Sequence, residues 1–206
     1  MLRKIEMRPE SFVPVHTTAD IVTLEGETVL RVTKAEKIND YDTNTYARAV
    51  GTDFHNGTIE VDMKSRLLPD APDLARGFIG IVFRAKEDDS EFESFYVRPT
   101  NAMTDDPVRR AHGCQYFSYP GYTFAYFREY GIEGYEAPVE SGLNEWIDLK
   151  AVVCDGHAEF YLNGAKEPAL VVNDLKHGKD AHGSVGLFVD IGTEGFFRDL
   201  RITLEG

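Results

Sequence analysis

The sequence predicts an all-β protein, a sandwich of two antiparallel sheets of the jelly-roll kind. Aromatic residues make up 12% of the 206-residue chain, with 13 Phe, 10 Tyr and a single Trp, and such residues are typical of strands. Apolar and polar residues alternate along most of the chain, as in strands with one buried face. Turn signals separate the alternating segments, and no amphipathic stretch is long enough for a regular helix. We therefore expect one domain over residues 1–206.

Each strand is predicted from its alternation and from the turn signals that bound it. Glu25-Gly26-Glu27 separates two such segments as a hairpin, and Asp155-Gly156 marks a tight turn. Residues 100–111 are polar and are expected to form a long loop, and a helical turn is expected only at 174–178. The predicted strand segments are 21–24, 28–32, 57–67, 77–84, 92–98, 114–119, 124–127, 145–154, 157–162, 168–172, 183–189 and 196–204.

The longest predicted strand is Gly57–Leu67. Ile59, Val61 and Met63 occupy one face of it, and charged residues occupy the other. This register predicts that the three apolar residues are core. The following segment, 77–84, is apolar on both faces at its start, which predicts a central position in its sheet.

The charge balance restricts the class of partner. Lys and Arg number 22 against 35 Asp and Glu, which gives a formal charge of −13. A protein that binds nucleic acid non-specifically needs a basic surface, and anionic membranes repel an acidic one. We therefore expect no nucleic-acid or membrane partner, and a neutral or cationic ligand overall. The first ten residues lack the apolar segment of a signal peptide, so a cytoplasmic protein is expected.

Several segments, in this order, resemble the concanavalin A-like lectin/glucanase superfamily and, more narrowly, its 3-keto-disaccharide hydrolase-type branch. The resemblance implies a jelly-roll sandwich that carries carbohydrate on its concave face. It implies no activity by itself, since lectins, glycosidases and interaction modules share the fold. No cofactor is expected, although structural calcium is common in the superfamily and Asp190 and Glu194 offer oxygens. The segments are 56–62, 80–84, 95–99, 115–116, 145–150, 183–187 and 196–200.

Glu60 is the candidate catalytic residue. In the laminarinase-like branch of the superfamily, one strand carries Glu-x-Asp-x-Glu, and its two glutamates act as nucleophile and acid/base. Here Glu60 and Asp62 are followed on the same face by Lys64, which cannot donate a proton as a carboxylic acid. The broken pattern argues against that enzyme class. The alternative is that these side chains form a solvated strand face.

Sugar sites pair an aromatic platform with planar hydrogen-bonding groups, and this chemistry selects the binding candidates. We expect four of them, Arg84, Tyr96, Arg98 and Gln115, to converge on the concave face, with Glu60 as the carboxylate partner of Arg98. Trp146 is expected nearby, although a rim or core anchor is its alternative role. The full set of substrate-binding candidates is Arg84, Tyr96, Arg98, Gln115, Tyr116, Trp146 and Lys150.

Two further features of the sequence leave their role open. Arg109, Arg110 and His112 form a basic patch that could clamp an anionic group such as a uronate or a phosphate, or could be a solvated loop tip. The aromatic segment 116–135 could line a groove or form a small core beneath a loop. The histidines show no metal-ligand spacing, and metal binding stays open.

Three functions remain compatible with the sequence: carbohydrate recognition without catalysis, hydrolysis or elimination of a 3-keto-glycoside, and a structural or interaction role. The first is favoured by the donor-rich and aromatic strands and by the broken carboxylate pair. The second is supported only by the resemblance. The oligomeric state stays open.

Overall fold

The structure is a computed structural model that describes residues 1–35 and 40–205. Three short α-helices lie among the strands over this range: α1 (Pro99–Ala102), α2 (Pro107–Arg110) and α3 (Phe124–Glu129). The strands are β1 (Leu2–Lys4), β2 (Phe12–Val15), β3 (Thr17–Leu24), β4 (Glu27–Lys34), β5 (Tyr46–Ala49), β6 (Gly57–Leu67), β7 (Ile79–Ala85), β8 (Phe92–Val97), β9 (Cys114–Tyr119), β10 (Glu136–Ala137), β11 (Ile147–Cys154), β12 (His157–Leu162), β13 (Leu170–Val172), β14 (Ser184–Val189) and β15 (Thr193–Leu204).

The strands form two antiparallel sheets, as predicted. The eight-stranded sheet has the order β13-β12-β11-β6-β15-β4-β3, and β1 pairs with β15 beside this path. The seven-stranded sheet has the order β10-β9-β8-β7-β14-β5-β2. The core between the sheets draws Ile59, Val61 and Met63 from β6, and Ile81 and Phe83 from β7. The predicted register of the longest strand is therefore confirmed.

The outer face of the seven-stranded sheet is buried as well. An aromatic layer covers it, and every residue of the layer is almost fully enclosed by loops. β7 is buried along its whole length and lies between β8 and β14, so its predicted central position is confirmed. The rings of the layer meet mostly edge to face, which favours tight packing. The layer comprises Tyr46, Phe92, Tyr96, Phe117 and Phe188.

Helices occur where the sequence predicted a strand or a loop. The segment 124–127 was predicted as a strand, and it is instead the first part of α3, whose N-cap residue Thr123 accepts a hydrogen bond from the amide of Tyr126. The predicted loop at 100–111 contains α1 and α2. The segment 174–178 forms turns rather than a helix. No described helix has the length and apolar character needed to cross a membrane.

Candidate functional site

Three of the predicted binding residues meet at one end of the seven-stranded sheet. Tyr96 and Gln115 are opposite each other in the β8–β9 register, so their side chains share the outer face of the sheet. Arg98 follows β8 directly and returns to the same face two residues after Tyr96. Its guanidinium group donates to the Tyr96 hydroxyl over 2.9 Å and to Gln115 Oε1 over 3.1 Å. The predicted convergence is correct for these three residues.

The carboxylate partner of Arg98 is Glu136, and the expected pairing with Glu60 is wrong. Arg98 donates to Glu136 Oε1 over 2.7 Å, and Arg128 donates to the same carboxylate over 2.6 and 3.0 Å. Glu136 comes from β10, the edge strand beside β9. Burial raises its pKa, but the hydrogen bond from Arg128 and the charges of Arg98 and Arg128 outweigh burial, so the pKa lies below its ordinary value.

Tyr96 and Gln115 lie beneath Arg98 rather than at the surface. Neither side chain has any exposed area, whereas Arg98 keeps 4%. The Tyr96 hydroxyl donates in turn to Asp42 over 2.7 Å. The two residues therefore position the guanidinium group of Arg98, and direct contact between either of them and a ligand, as the sequence suggested, does not fit their burial.

Arg98 opens into a cavity of about 250 Å³, which we call the arginine pocket. Four arginines line it, together with three aromatic rings and the imidazole of His112. Phe124 is half-buried, and its ring centre lies 5.0 Å from the guanidinium carbon of Arg128 and 5.6 Å from that of Arg98. The lining comprises Arg76, Arg98, Arg109, Arg128, His112, Asn101, Tyr41, Phe78, Phe124, Leu74 and Val108.

The aromatic rings of the pocket form a connected wall. The ring of Tyr41 meets Phe124 edge to face at 5.3 Å between centroids and meets Phe78 at 5.7 Å. The amide of Phe124 donates to Asp42 Oδ2 over 2.8 Å, which ties α3 to the residue beneath Tyr96. The wall therefore has a fixed position relative to Arg98.

A second cavity, of about 480 Å³, adjoins the arginine pocket. Both cavities are lined by His112 and Arg128, so these residues stand at their junction. The adjoining cavity adds apolar and aromatic lining from Phe127, Ile132 and Tyr135. Together the two cavities offer room for a ligand longer than one ring.

His112 joins the pocket through both its backbone and its ring. Its carbonyl accepts hydrogen bonds from Arg98 over 3.2 Å and from Asn101 over 3.0 Å. Burial lowers the pKa of the imidazole, and the charges of Arg128 and Arg98 lower it further against the opposing effect of Glu136. His112 is therefore mainly neutral near pH 7.

Arg84 does not reach the site, which corrects the expectation that hairpin pairing would bring it there. It is the penultimate residue of β7, at the opposite end of that strand from Arg98, and has a left-handed backbone with φ 54°. Its guanidinium group donates to the carbonyls of His55, Gly178 and Asp155 and to Asn56 Oδ1 at 2.8–3.2 Å. These bonds satisfy the guanidinium group and connect three segments of the chain, which is a structural role, and the predicted role of Arg84 in substrate binding stays a prediction.

Tyr116 is also displaced from the predicted site, because it lies on the inner face of β9. Its ring belongs to the core between the sheets and has no exposed area. Its hydroxyl donates to the buried carboxylate of Glu93 over 2.5 Å and accepts from the amide of Lys176 over 2.9 Å. The alternation that places Gln115 on the outer face places Tyr116 on the other.

Glu60, Lys150 and Trp146 lie on the far side of the sandwich. Glu60 and Lys150 are register partners on β6 and β11, on the outer face of the eight-stranded sheet. Trp146 precedes β11, and its indole N–H donates to Glu25 Oε2 over 3.0 Å. The guanidinium carbon of Arg198 lies over the Trp146 ring, 4.0 Å from the ring centroid. The expectation that Glu60 and Trp146 lie near Arg98 is therefore wrong. The catalytic role predicted for Glu60 stays a prediction.

The largest cavity described, of about 700 Å³, opens beside Arg84. Among the residues that the structure describes, no Phe, Tyr or Trp lines it. Because sugar sites need an apolar platform for the C–H face of a ring, the smaller arginine pocket fits that ligand class better.

The carboxylates considered for calcium are engaged with basic residues. Asp190 accepts from Lys34 over 3.0 Å, and Glu194 accepts from Arg31 over 2.7 Å. Within residues 1–35 and 40–205, no group of three or more His, Cys, Asp and Glu side chains is placed to hold a metal ion.

Sequence reasoning found part of the pocket and missed the rest. It singled out the basic patch, of which Arg109 and His112 line the pocket while Arg110 is exposed. It missed Arg76, which lies in the loop before β7, and Arg128, which lies in α3. The Thr123 cap was the available signal for α3, the element that carries Phe124 and Arg128 into the pocket. The aromatic segment 116–135 has both of its predicted roles, since Phe124 lines the pocket and Phe127 is buried.

Comparison with solved structures confirms the concanavalin A-like jelly-roll fold. The carbohydrate-binding module CBM66 from Bacillus subtilis matches with a TM-score of 0.61 at 15% identity over 94% of this chain and 96% of that one. A Bacillus subtilis protein of unknown function with a galectin-like fold matches with a TM-score of 0.58 at 14% identity over 94% and 89%. The β-glucanase of Bacillus licheniformis matches with a TM-score of 0.54 at 11% identity over 100% and 98%.

These identities establish similarity of fold alone. No family model matches the chain, and no curated protein matches it in sequence. The fold implied by the resemblance to the lectin/glucanase superfamily is thus confirmed.

Proposed function

We propose that the protein binds carbohydrate in the arginine pocket and the adjoining cavity, as a recognition domain without catalysis. The observation that carries the proposal is that aromatic rings and guanidinium groups line one cavity. The rings of Tyr41, Phe78 and Phe124 offer apolar surface to the C–H face of a sugar, and the arginines offer planar donors to its hydroxyl rim.

The fold supports this proposal without determining it. Proteins of the same architecture include a carbohydrate-binding module and a glucanase. One sandwich fold hosts many functions, so the cavity supports the proposed ligand class more strongly than the similarity of fold does. The distance of the broken Glu60–Asp62–Lys64 pattern from this cavity favours recognition over retaining hydrolysis.

The test is a binding measurement that compares two aromatic variants of the same helical region. Isothermal titration with trisaccharides of common hexoses, pentoses and uronic acids should identify a ligand of the wild type. Phe124→Ala removes a ring from the pocket and should weaken binding of that ligand by about tenfold or more. Tyr130→Ala is the matched control, since Tyr130 is 64% exposed and lines neither cavity.

Two outcomes would overturn the proposal. One is that no trisaccharide of the set binds to the wild type. The other is that Phe124→Ala and Tyr130→Ala bind the identified ligand equally well, which would place the sugar elsewhere.

A second candidate function is cleavage of a 3-keto-glycoside, the activity associated with the branch that the sequence resembles. One observation favours it: neutral His112 and the guanidinium group of Arg98 line the same cavity. His112 would take the acidic proton from the carbon beside the ketone, and an arginine would stabilise the enolate oxygen. The enolate would then collapse to an enone as the glycosidic C–O bond breaks, and His112 would return its proton to the departing sugar oxygen. Release of the leaving sugar by the wild type, abolished in His112→Gln while binding persists, would support this function, and absence of release would exclude it.

A further inference from the structure

The charges of the arginine pocket are only partly compensated. Arg98 and Arg128 share the carboxylate of Glu136. Among the described residues, no carboxylate lies within ion-pair distance of Arg76 or Arg109. Their partners are neutral, as the following contacts show.

Arg76 donates to the backbone carbonyls of Asp73 over 2.5 Å and Ala75 over 2.8 Å. Arg109 donates to Asn101 Oδ1 over 3.3 Å and to Thr100 Oγ1 over 3.4 Å, both long contacts. These contacts fix the direction of the two side chains and leave their positive charge unneutralised.

The unneutralised guanidinium groups repel each other in a partly enclosed space. Burial lowers the pKa of Arg76, and the charges of Arg109 and Arg98 lower it further against the opposing effects of Tyr41 and Asp73. Like charges held together away from water are costly unless an anion joins them. A carboxylate or sulfate matches the planar fork of a guanidinium group and would remove this cost.

The local charge is opposite to that of the whole protein. The chain carries a formal charge of −13, a balance that by itself favours a neutral or cationic ligand. An anion would approach such a protein unfavourably except where basic groups are concentrated. The pocket is such a place, and its aromatic wall suits a ring rather than a bare ion.

We infer that the arginine pocket takes an acidic sugar, a ring that bears a carboxylate or a sulfate group, with Arg76 and Arg109 holding the anionic group. This inference rests on the proposed function and narrows its ligand class. The aromatic wall would contact the ring itself, while the arginine pair would distinguish the acidic sugar from its neutral counterpart.

The experiment compares matched sugars by isothermal titration. Trisaccharides of glucuronate, galacturonate and mannuronate are each paired with the neutral trisaccharide, and galactose 6-sulfate is compared with galactose. An acidic sugar should bind about tenfold or more tightly than its neutral partner, as expected for hydrogen bonds between charged groups. Preference for the uronates or for the sulfate identifies which anionic group is taken, and either supports the inference.

Variants of neighbouring arginines provide the control. Arg109→Gln and Arg76→Gln should each remove most of the preference for the acidic sugar, because the acidic sugar loses more affinity than its neutral counterpart does. Arg110→Gln makes the same change of charge one residue away, at an exposed position outside the pocket, and should keep the preference. Added salt should weaken binding of the acidic sugar more than that of the neutral one.

The outcomes separate this inference from the proposed function. If neutral sugars bind as tightly as acidic ones and Phe124→Ala weakens both, the proposed function stands and the acidic ligand is wrong. If inorganic sulfate binds as tightly as the acidic sugar, the pocket recognises an anion and not a sugar acid, which also overturns the inference. If no sugar binds, both proposals fail.

Discussion

Asp42 is the residue on which the geometry behind the arginine pocket most depends. Its side chain is 2% exposed, and it accepts hydrogen bonds from the Tyr96 hydroxyl and the amide of Phe124. Its own amide donates to Asp190. One buried carboxylate thus joins the support of Arg98 to the start of α3.

Burial raises the pKa of Asp42 to about 6 from 3.8, against the opposing effects of the Phe124 amide, Arg98 and Tyr96. Because the pKa of Asp42 is higher in the folded state, its contribution to the free energy of unfolding is complete below pH 4 and is lost as the pH rises through 6. Asp42→Asn should remove this dependence. Between pH 4 and pH 7 the wild type should lose up to about 3 kcal/mol of unfolding free energy relative to the variant.

Urea denaturation of both proteins at pH 4, 5, 6 and 7 measures the effect. The comparison cancels the contributions of other carboxylates, such as Glu136, whose pKa is lowered. Parallel pH profiles for the two proteins would show that Asp42 does not titrate in this range.

At the level of single residues, the sequence predicted the type of group that pairs with Arg98 better than the residue that supplies it. It required a carboxylate for a buried Arg98, and Glu136 meets that requirement. It selected Glu60 because alternation identifies the face of a strand, but alternation cannot tell which sheet the strand joins. Glu60 and Arg98 belong to different sheets, and only the topology separates them.

β6 is the element whose prediction is easiest to test. Val61 is 1% exposed and faces the core opposite Leu149. Val61→Asp would bury an unpaired charge there and should lower the free energy of unfolding by about 3 kcal/mol or more. Thermal and urea unfolding measure the change.

Asp62→Ala is the control on the opposite face of the same strand. It removes a partly exposed ion pair with Arg198 and should cost about 1 kcal/mol or less. Equal destabilisation by the two variants would refute the register.

Strands were predictable where alternation ran for six residues or more between turn signals. β6, β9 and β12 have the predicted bounds. α3 was not predictable in this way, because a segment of four aromatic-rich residues is too short to distinguish a period of 2 from a period of 3.6. Short β1, β2 and β5 gave too little alternation to be recognised. Since α3 carries Phe124 and Arg128, the misread element concealed two residues that line the pocket.

At the scale of the whole molecule, Arg84 of the seven-stranded sheet is hydrogen-bonded to loops of the eight-stranded sheet. It is 2% exposed, and its four hydrogen bonds reach the loop before β6, the β11–β12 turn and the segment before β14. Arg84→Met would leave four acceptors of partly buried hydrogen bonds without their donor and should lower the free energy of unfolding by about 3 kcal/mol or more.

Arg110→Met is the matched control, because Arg110 is exposed. Chemical denaturation compares the two, and a separate measurement of sugar binding below the transition should show that Arg84→Met keeps the ligand of the wild type. Loss of sugar binding by a folded Arg84→Met protein would contradict the structural role assigned to this residue.

The order of strands in the two sheets bears on how the chain folds as it is synthesised. β14 lies between β7 and β5, and β15 lies between β6 and β4. Each of these central strands follows every other strand of its own sheet along the chain, so a sheet can be completed only after that strand has left the ribosome. The nascent chain meanwhile exposes the apolar edges that they will later cover, a state prone to aggregation. Release of the final strands, rather than growth from the first hairpin, should therefore trigger folding, and a stalled chain that lacks them would need a chaperone.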